Sequence, residues 1–168
     1  FLHSYYPNFF RSLVVIGWAT LGFGILLAFS DWLGMTVRRI EHLRLSDSIF
    51  IGLLQVLALI PGTSRSGVTI SAARLLGFER PDAARFSMLL SIPVIGAAGF
   101  LSGLELLKLD DLSITMDALL AGCLSFCVAL VSIFLLMAWL RRATLIPFVF
   151  YRLILGALLL AIGYGFNF

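Results

Sequence analysis

Hydrophobic positions along the chain fall into long continuous runs rather than the alternation of half-buried strands, and polar residues gather in the short gaps between them. A first run from Leu13 to Leu33 covers about 20 residues, enough to cross a bilayer core as a helix. Trp18 and Trp32 stand near its ends, where interfacial aromatic anchors occur. The basic segment Arg38-Arg39-Ile40-Glu41-His42-Leu43-Arg44 follows, and Ser46-Asp47 offers a helix N-cap. Two short apolar helices are then predicted, Ser48 to Ile60 and Val68 to Leu76, neither long enough to span. Asp82 is expected to cap a helix that starts amphipathic and continues to about Leu107, with a kink at Pro93. Further spans are expected from about Met116 to Leu140 and from Pro147 to about Gly165.

Composition supports this reading. The 168 residues are 61% hydrophobic and 12% charged, whereas soluble domains are about half apolar and a quarter charged. The expected fold class is an all-α integral membrane bundle of one domain (1–168). Its spans lie at about 13–33, 82–107, 116–140 and 147–165, with a re-entrant hairpin at about 48–76. The opening, Phe1 to Phe10, is aromatic and polar, an unusual start for a membrane protein, so a longer parent chain is expected. The net charge of +3 is too small and too scattered to point to nucleic acid. Cys123 and Cys127, without His or acid beside them, read as small packing residues of a membrane helix. Gly99 to Gly103 forms a small-xxx-small face expected to pack helices closely. His3 and His42 lie near polar ends and read as interfacial, and no metal-ligand spacing occurs.

Basic residues orient the chain. Arg38, Arg39 and Arg44 share a side with Arg80 and Arg85 only if the hairpin returns to the face it entered. The acidic turn Asp110-Asp111 then falls opposite, and Arg141-Arg142 back on the first side. The positive-inside rule places the hairpin base in the cytoplasm.

The candidate chemistry sits at the hairpin tip, Pro61-Gly62-Thr63-Ser64-Arg65-Ser66-Gly67-Val68-Thr69. An arginine at membrane depth costs roughly 2.5–3.5 kcal/mol on insertion scales and usually marks function. Irregular backbone at that depth must line protein or a watery cavity. Arg65 supplies a planar positive fork suited to phosphate oxygens. Thr63, Ser64, Ser66 and Thr69 supply hydroxyls, and Gly62 and Gly67 let backbone amides approach a ligand. The second short helix, starting near Val68, would aim its N-terminal amides into the loop. If it starts early, Arg65 and Thr69 reach the same ligand. The bland alternative has the hydroxyls bonding back to helix carbonyls and Arg65 snorkelling to water. The devices together favour phosphate or pyrophosphate. The loop has no Walker lysine and no preceding strand.

The blocks Gly52-Leu53-Leu54-Gln55, Pro61-Gly62-Thr63-Ser64-Arg65-Ser66-Gly67-x-Thr69, Ala83-Ala84-Arg85-Phe86-Ser87 and Ser91-Ile92-Pro93 resemble the second half of bacterial undecaprenyl pyrophosphate phosphatases of the bacitracin-resistance type. The resemblance implies hydrolysis of undecaprenyl pyrophosphate to the monophosphate and inorganic phosphate in the bacterial inner membrane. It also implies two inverted repeats meeting at the site, as in secondary transporters. By this resemblance Arg65, Ser64 and Thr69 are catalytic, with Gly62, Thr63, Ser66, Gly67 and Gln55 on the substrate. The family's Glu-rich E-x-x-x-E motif and P-x-S-S-x-G-H loop do not occur here. A divalent cation, Mg²⁺ or Ca²⁺, is therefore expected to take its ligands outside this chain, from a missing N-terminal half. The expected partners are the polyprenyl pyrophosphate lipid and the bilayer, with a homodimer left open. The rival reading is a polyprenyl-phosphate flippase or secondary transporter with a midplane anion site.

Overall fold

The computed structural model describes residues 12–34, 37–108 and 112–165. The Phe1 to Phe10 opening, His3 and the Asp110-Asp111 turn lie outside them. Among the described residues six α-helices follow one another: α1 Leu13–Leu33, α2 Leu45–Leu54, α3 Arg65–Leu75, α4 Arg80–Lys108, α5 Leu112–Leu140 and α6 Ile146–Gly163. Four of these, α1, α4, α5 and α6, contain stretches long and apolar enough to cross a membrane. The chain is thus an all-α, multi-pass membrane protein.

Helices α2 and α3 have 10 and 11 residues. At 1.5 Å per residue each reaches about 15 Å, half of a hydrocarbon core of about 30 Å. Between them the chain tightens into a 3₁₀ turn, Gln55–Leu59, before Pro61 and Gly62 reverse it. The α-helix of the first half-segment therefore stops at Leu54, earlier than the apolar run suggests.

Helix α3 holds the centre, against α1, α2 and α4. Gly67, Val68, Thr69, Ser71, Ala72, Ala73 and Arg74 are all buried. Its small residues let neighbouring helices come close. The widest helix pairing joins α1 to α6. A Cβ added at Gly156 would lie 2.8 Å from the Leu21 side chain and 3.0 Å from its backbone nitrogen, and one at Gly17 would lie 2.8 Å from Leu160. Close packing thus falls on these glycines and not on the expected face. Added Cβ atoms at Gly99 and Gly103 would meet nothing within 4 Å. Gly156→Val is expected to lower stability by about 1–3 kcal/mol, because a backbone neighbour cannot swing aside. A fall in the thermal midpoint of the detergent-solubilised protein checks it.

Helix α5 is exposed along most of its length, and Cys123 and Cys127 sit on that surface. Leu140 at its end joins Leu27, Ala84, Leu145 and Val149 in one apolar cluster. A second cluster, Ile51, Ala72, Ala73, Phe78 and Ala83, closes the hairpin base.

Two expected caps differ. Asp47 stands one turn into α2, accepting from the Arg44 amide (3.1 Å), with Arg44 as N-cap. Asp82 lies inside the first turn of α4, which starts at Arg80, and accepts instead from the Ile40 amide (3.2 Å). Both carboxylates thereby tie the basic segment to the helices it precedes. The Arg38 guanidinium bonds Asp47 and lies 4.6 Å over the Phe78 ring.

That Arg38 hydrogen bond holds the Asp47 carboxyl below the usual carboxylate range, outweighing burial, which pushes the other way. A carboxyl lowered in the folded state stabilises fully above its unfolded value of about 4. The contribution is lost as pH falls through the lowered folded value. Amide exchange in α2 should therefore stay slow from neutral pH down to about 4 and rise below it. Asp47→Asn should remove that acid step.

Candidate functional site

The second half-helix begins at Arg65, three residues earlier than the sequence suggests, with Ser64 as its N-cap. The Ser64 hydroxyl accepts from the Gly67 amide (3.3 Å) and lies 3.4 Å from the Ser66 hydroxyl. The cap explains the early start, since a serine oxygen satisfies one of the orphan amides of the first turn. Arg65 and Ser66 thus belong to the first helical turn, where the dipole is positive.

The approach to the cap is unusual. Gly62 has φ +91° and approaches α1 so closely that an added Cβ would lie 2.5 Å from the Ile16 carbonyl oxygen. Ser64 has φ +62° and ψ 113°, the one positive-φ residue besides glycine among the described residues. Such a backbone costs on the order of 1–3 kcal/mol and persists where its surroundings over-determine it.

A cavity of about 490 Å³ opens beside this turn. Gly62, Ser64, Ser66, Gly67, Ser87 and Arg152 form its polar part. Apart from Thr20 and Tyr151 the rest is apolar, including Met88, Leu136, Leu140, Phe148, Leu155 and Leu159. The cavity is therefore amphipathic, with hydroxyls, helix amides and a guanidinium along the turn, and aliphatic and aromatic carbon on α6 both before Arg152 (Leu145, Phe148) and after it (Leu155, Leu159).

The structure divides the expected residues between two sides of α3. Ser64, Ser66, Gly62 and Gly67 face the cavity. Arg65 turns to the other side: its Nε donates to Gln55 Oε1 (3.2 Å) and its Nη2 to the Leu90 carbonyl (2.8 Å). Gln55 and Arg65 are thus brought together, with the guanidinium plane fixed by two partners. Its Nη1 has no partner among the described residues.

Thr69 does not join Arg65 at a ligand. Its hydroxyl bonds back to the Arg65 carbonyl (3.0 Å), reaches the Ser66 carbonyl (3.2 Å) and pairs with the Ser87 hydroxyl at 2.6 Å. It is buried and fastens the first turn of α3 to α4. An early helix start aligns Thr69 with the carbonyl four residues back, which captures its hydroxyl. Thr63 is fully buried, outside the cavity lining, and its hydroxyl has no hydrogen-bond partner.

Two arginines not anticipated from the sequence prove central. Arg152 lies on α6 and is 8% exposed. Its Nη2 donates to the carbonyls of Thr63 (2.9 Å) and Gly62 (3.0 Å), while Thr20 Oγ1 supports Gly62 from α1 (3.2 Å). The signal was present, because a charge between Tyr151 and Leu153 interrupts an apolar run and such residues mark function.

Arg74, wholly buried near the C-terminal end of α3, has its Nε 3.2 Å from Asp31 Oδ1. That contact is close enough for an ion pair but not aligned as a hydrogen bond. Arg80 completes the network with a 2.7 Å bond to the same oxygen. The remaining Arg74 nitrogens donate to the carbonyls of Phe78, Asp31 and Gly34.

Among the described residues, no three of His, Cys, Asp and Glu gather as metal ligands. The donors around the cavity suit an anion, and they do not form a cation site.

Over residues 1–158 the chain matches the family of the bacitracin resistance protein BacA. It belongs to that family. It is 53% identical, over 152 residues, to undecaprenyl-diphosphatase 1 of Rhodospirillum rubrum, covering 90% of this chain and 54% of that protein. It is 50% identical to the undecaprenyl-diphosphatase of Nitrosococcus oceani (89% and 56% covered) and 46% to that of Jannaschia sp. (92% and 58% covered). The chain thus spans little more than half the length of these relatives. The loop from Pro61 to Thr69 and all of the cavity lining but Leu159 lie within the matched region.

Proposed function

We propose that the full-length protein is an undecaprenyl pyrophosphate phosphatase of the bacterial inner membrane. It cleaves the anhydride to undecaprenyl phosphate and inorganic phosphate, resupplying the lipid carrier of cell-wall synthesis. The observation that carries this reading is the cavity itself. Its polar turn offers what a phosphate requires, and its apolar walls suit the first isoprene units of the tail. The names of the relatives point the same way.

Hydrolysis transfers the terminal phosphoryl group to water and leaves the lipid monophosphate. The main catalytic task is positioning and stabilising charge on the transferred oxygens. In this reading Ser64, Ser66 and the Gly67 region at the N-terminus of α3 bind phosphate oxygens from the cavity. Arg65, held in plane by Gln55 and the Leu90 carbonyl on the other side of α3, would meet the transferred phosphoryl group where the facing first half of the fold extends the site around that helix. Thr69 serves by fixing the first turn of α3 to Ser87, and the Thr63 carbonyl receives Arg152. Ser64 binds and does not attack, since no base adjoins its hydroxyl among the described residues. The carboxylates that would hold a divalent cation belong to the first half of the fold, in an inverted repeat facing this one.

Purified full-length protein in detergent should release inorganic phosphate from a prenyl pyrophosphate with no membrane gradient. Transfer of the intact lipid across vesicles without phosphate release would overturn the reading in favour of a flippase.

A further inference from the structure

Arg152 poses a separate problem. It is more than nine-tenths buried, lines the cavity, and has no carboxylate within ion-pair distance among the described residues. Its Nε is buried without a hydrogen-bond partner. A buried, unpaired charge is costly. Donating to the carbonyls of Thr63, Gly62 and, at 3.4 Å, Thr20 does not require one, because a neutral amide donor would do so at lower cost. The arginine therefore needs an explanation beyond filling space.

Its position supplies one. Arg152 grips the carbonyls of Gly62 and Thr63, the two peptide groups before Ser64. The Gly67 amide grips the Ser64 hydroxyl from the other side. The strained residue is thus clamped from α6 in front and from its own helix behind. Gly24 makes room for this arm: an added Cβ there would lie 3.2 Å from Arg152 Cβ. Gly67 leaves space beside the guanidinium, since an added Cβ would lie 3.2 Å from Nη1.

We propose that Arg152 is a positioning residue for the phosphate site. It holds the turn before Ser64 in its strained form, so that the Ser64 hydroxyl and the N-terminal amides of α3 are aimed into the cavity before substrate arrives. Its charge then acts on the bound anion through the low-dielectric cavity, without contact. The proposal rests on the phosphatase reading for its kinetic consequence, and on geometry alone for its effect on the loop.

The test uses the full-length protein in detergent, wild type against Arg152→Met and Arg152→Lys. Without substrate, amide exchange over residues 62–67 should rise about 10-fold or more in Arg152→Met, while α1 and the rest of α6 keep their protection. With a prenyl pyrophosphate, kcat should fall about 100-fold, the cost of a small misplacement of positioned groups. Arg152→Lys, which keeps the charge and a donor, should recover part of both effects. If Arg152→Met does not fold, the same two readouts on Arg152→Lys decide, with smaller changes in the same direction.

Unchanged exchange in the substrate-free loop together with lost phosphate release would overturn the proposal, pointing to direct substrate contact. Exchange rising equally through α1 and α6 would overturn it too, leaving a purely structural role. Wild-type kcat in both variants would do the same. If the wild-type protein released no phosphate, the phosphatase reading would fall by itself, and loop exchange alone would decide the role of Arg152.

Discussion

Replacing Arg65 by alanine in the full-length protein should lower phosphate release from a prenyl pyrophosphate by about 10²–10³-fold, the cost of removing one donor aimed at developing charge. The variant should still insert and fold. Arg65 makes two hydrogen bonds, to Gln55 and to the Leu90 carbonyl, and both acceptors sit on partly accessible elements. Their loss is therefore modest for stability and large for catalysis. Arg65→Lys should fail nearly as badly, because an ammonium cannot satisfy Gln55 and Leu90 and still present a third donor in a fixed plane. Gln55→Ala isolates the orienting role. It should cost less than Arg65→Ala, since the Leu90 bond persists. Release at near wild-type rates in Arg65→Ala would remove the arginine from the mechanism, whatever the fate of the family assignment.

The largest stability effect is expected at Asp31. Its carboxylate is the counter-charge of both Arg74, which is completely buried, and Arg80. Asp31→Ala leaves a guanidinium in the protein interior with only carbonyl partners, and breaking a buried pair in this way costs about 3–5 kcal/mol. The three residues join the end of α1, the end of α3 and the start of α4, so the loss should loosen the hairpin base as a unit. Thermal unfolding in detergent and proteolysis between Arg74 and Arg80 would register it. Asp31→Asn retains an acceptor for Arg80 and should be the milder change. Equal stability of the wild type and Asp31→Ala would show that water reaches Arg74 and that its burial is not maintained.

Both predictions draw on residues that the sequence displays unequally. Arg65 stands among four hydroxyls and two glycines between apolar helices, and lipid tolerates such a polar island only for a reason. Asp31 and Arg74 sit singly at the ends of hydrophobic or small-residue runs, where an interfacial or snorkelling role is the ordinary expectation. They matter because they meet across 43 residues of chain. Arg152 and Gly62 meet across 90. No local pattern encodes those distances. The same holds for Gly17 and Gly156, which carry the close packing, against Gly99 and Gly103, which have the more conspicuous spacing and no partner here.

From the sequence alone follow the membrane class, the long apolar helices, the two half-length helices and the polar segment Pro61 to Thr69 at their junction. These rest on the contrast between apolar runs and polar breaks, which the bilayer makes severe. The helix start at Arg65, the retreat of Thr69 to Ser87, the turn of Arg65 away from the cavity and the clamp from Arg152 were decided only in three dimensions. Each depends on which hydroxyl, carbonyl or amide a neighbouring helix brings within hydrogen-bonding distance. Lipid offers no water as a substitute partner, so packing, and not local preference, settles where every polar group in the loop points.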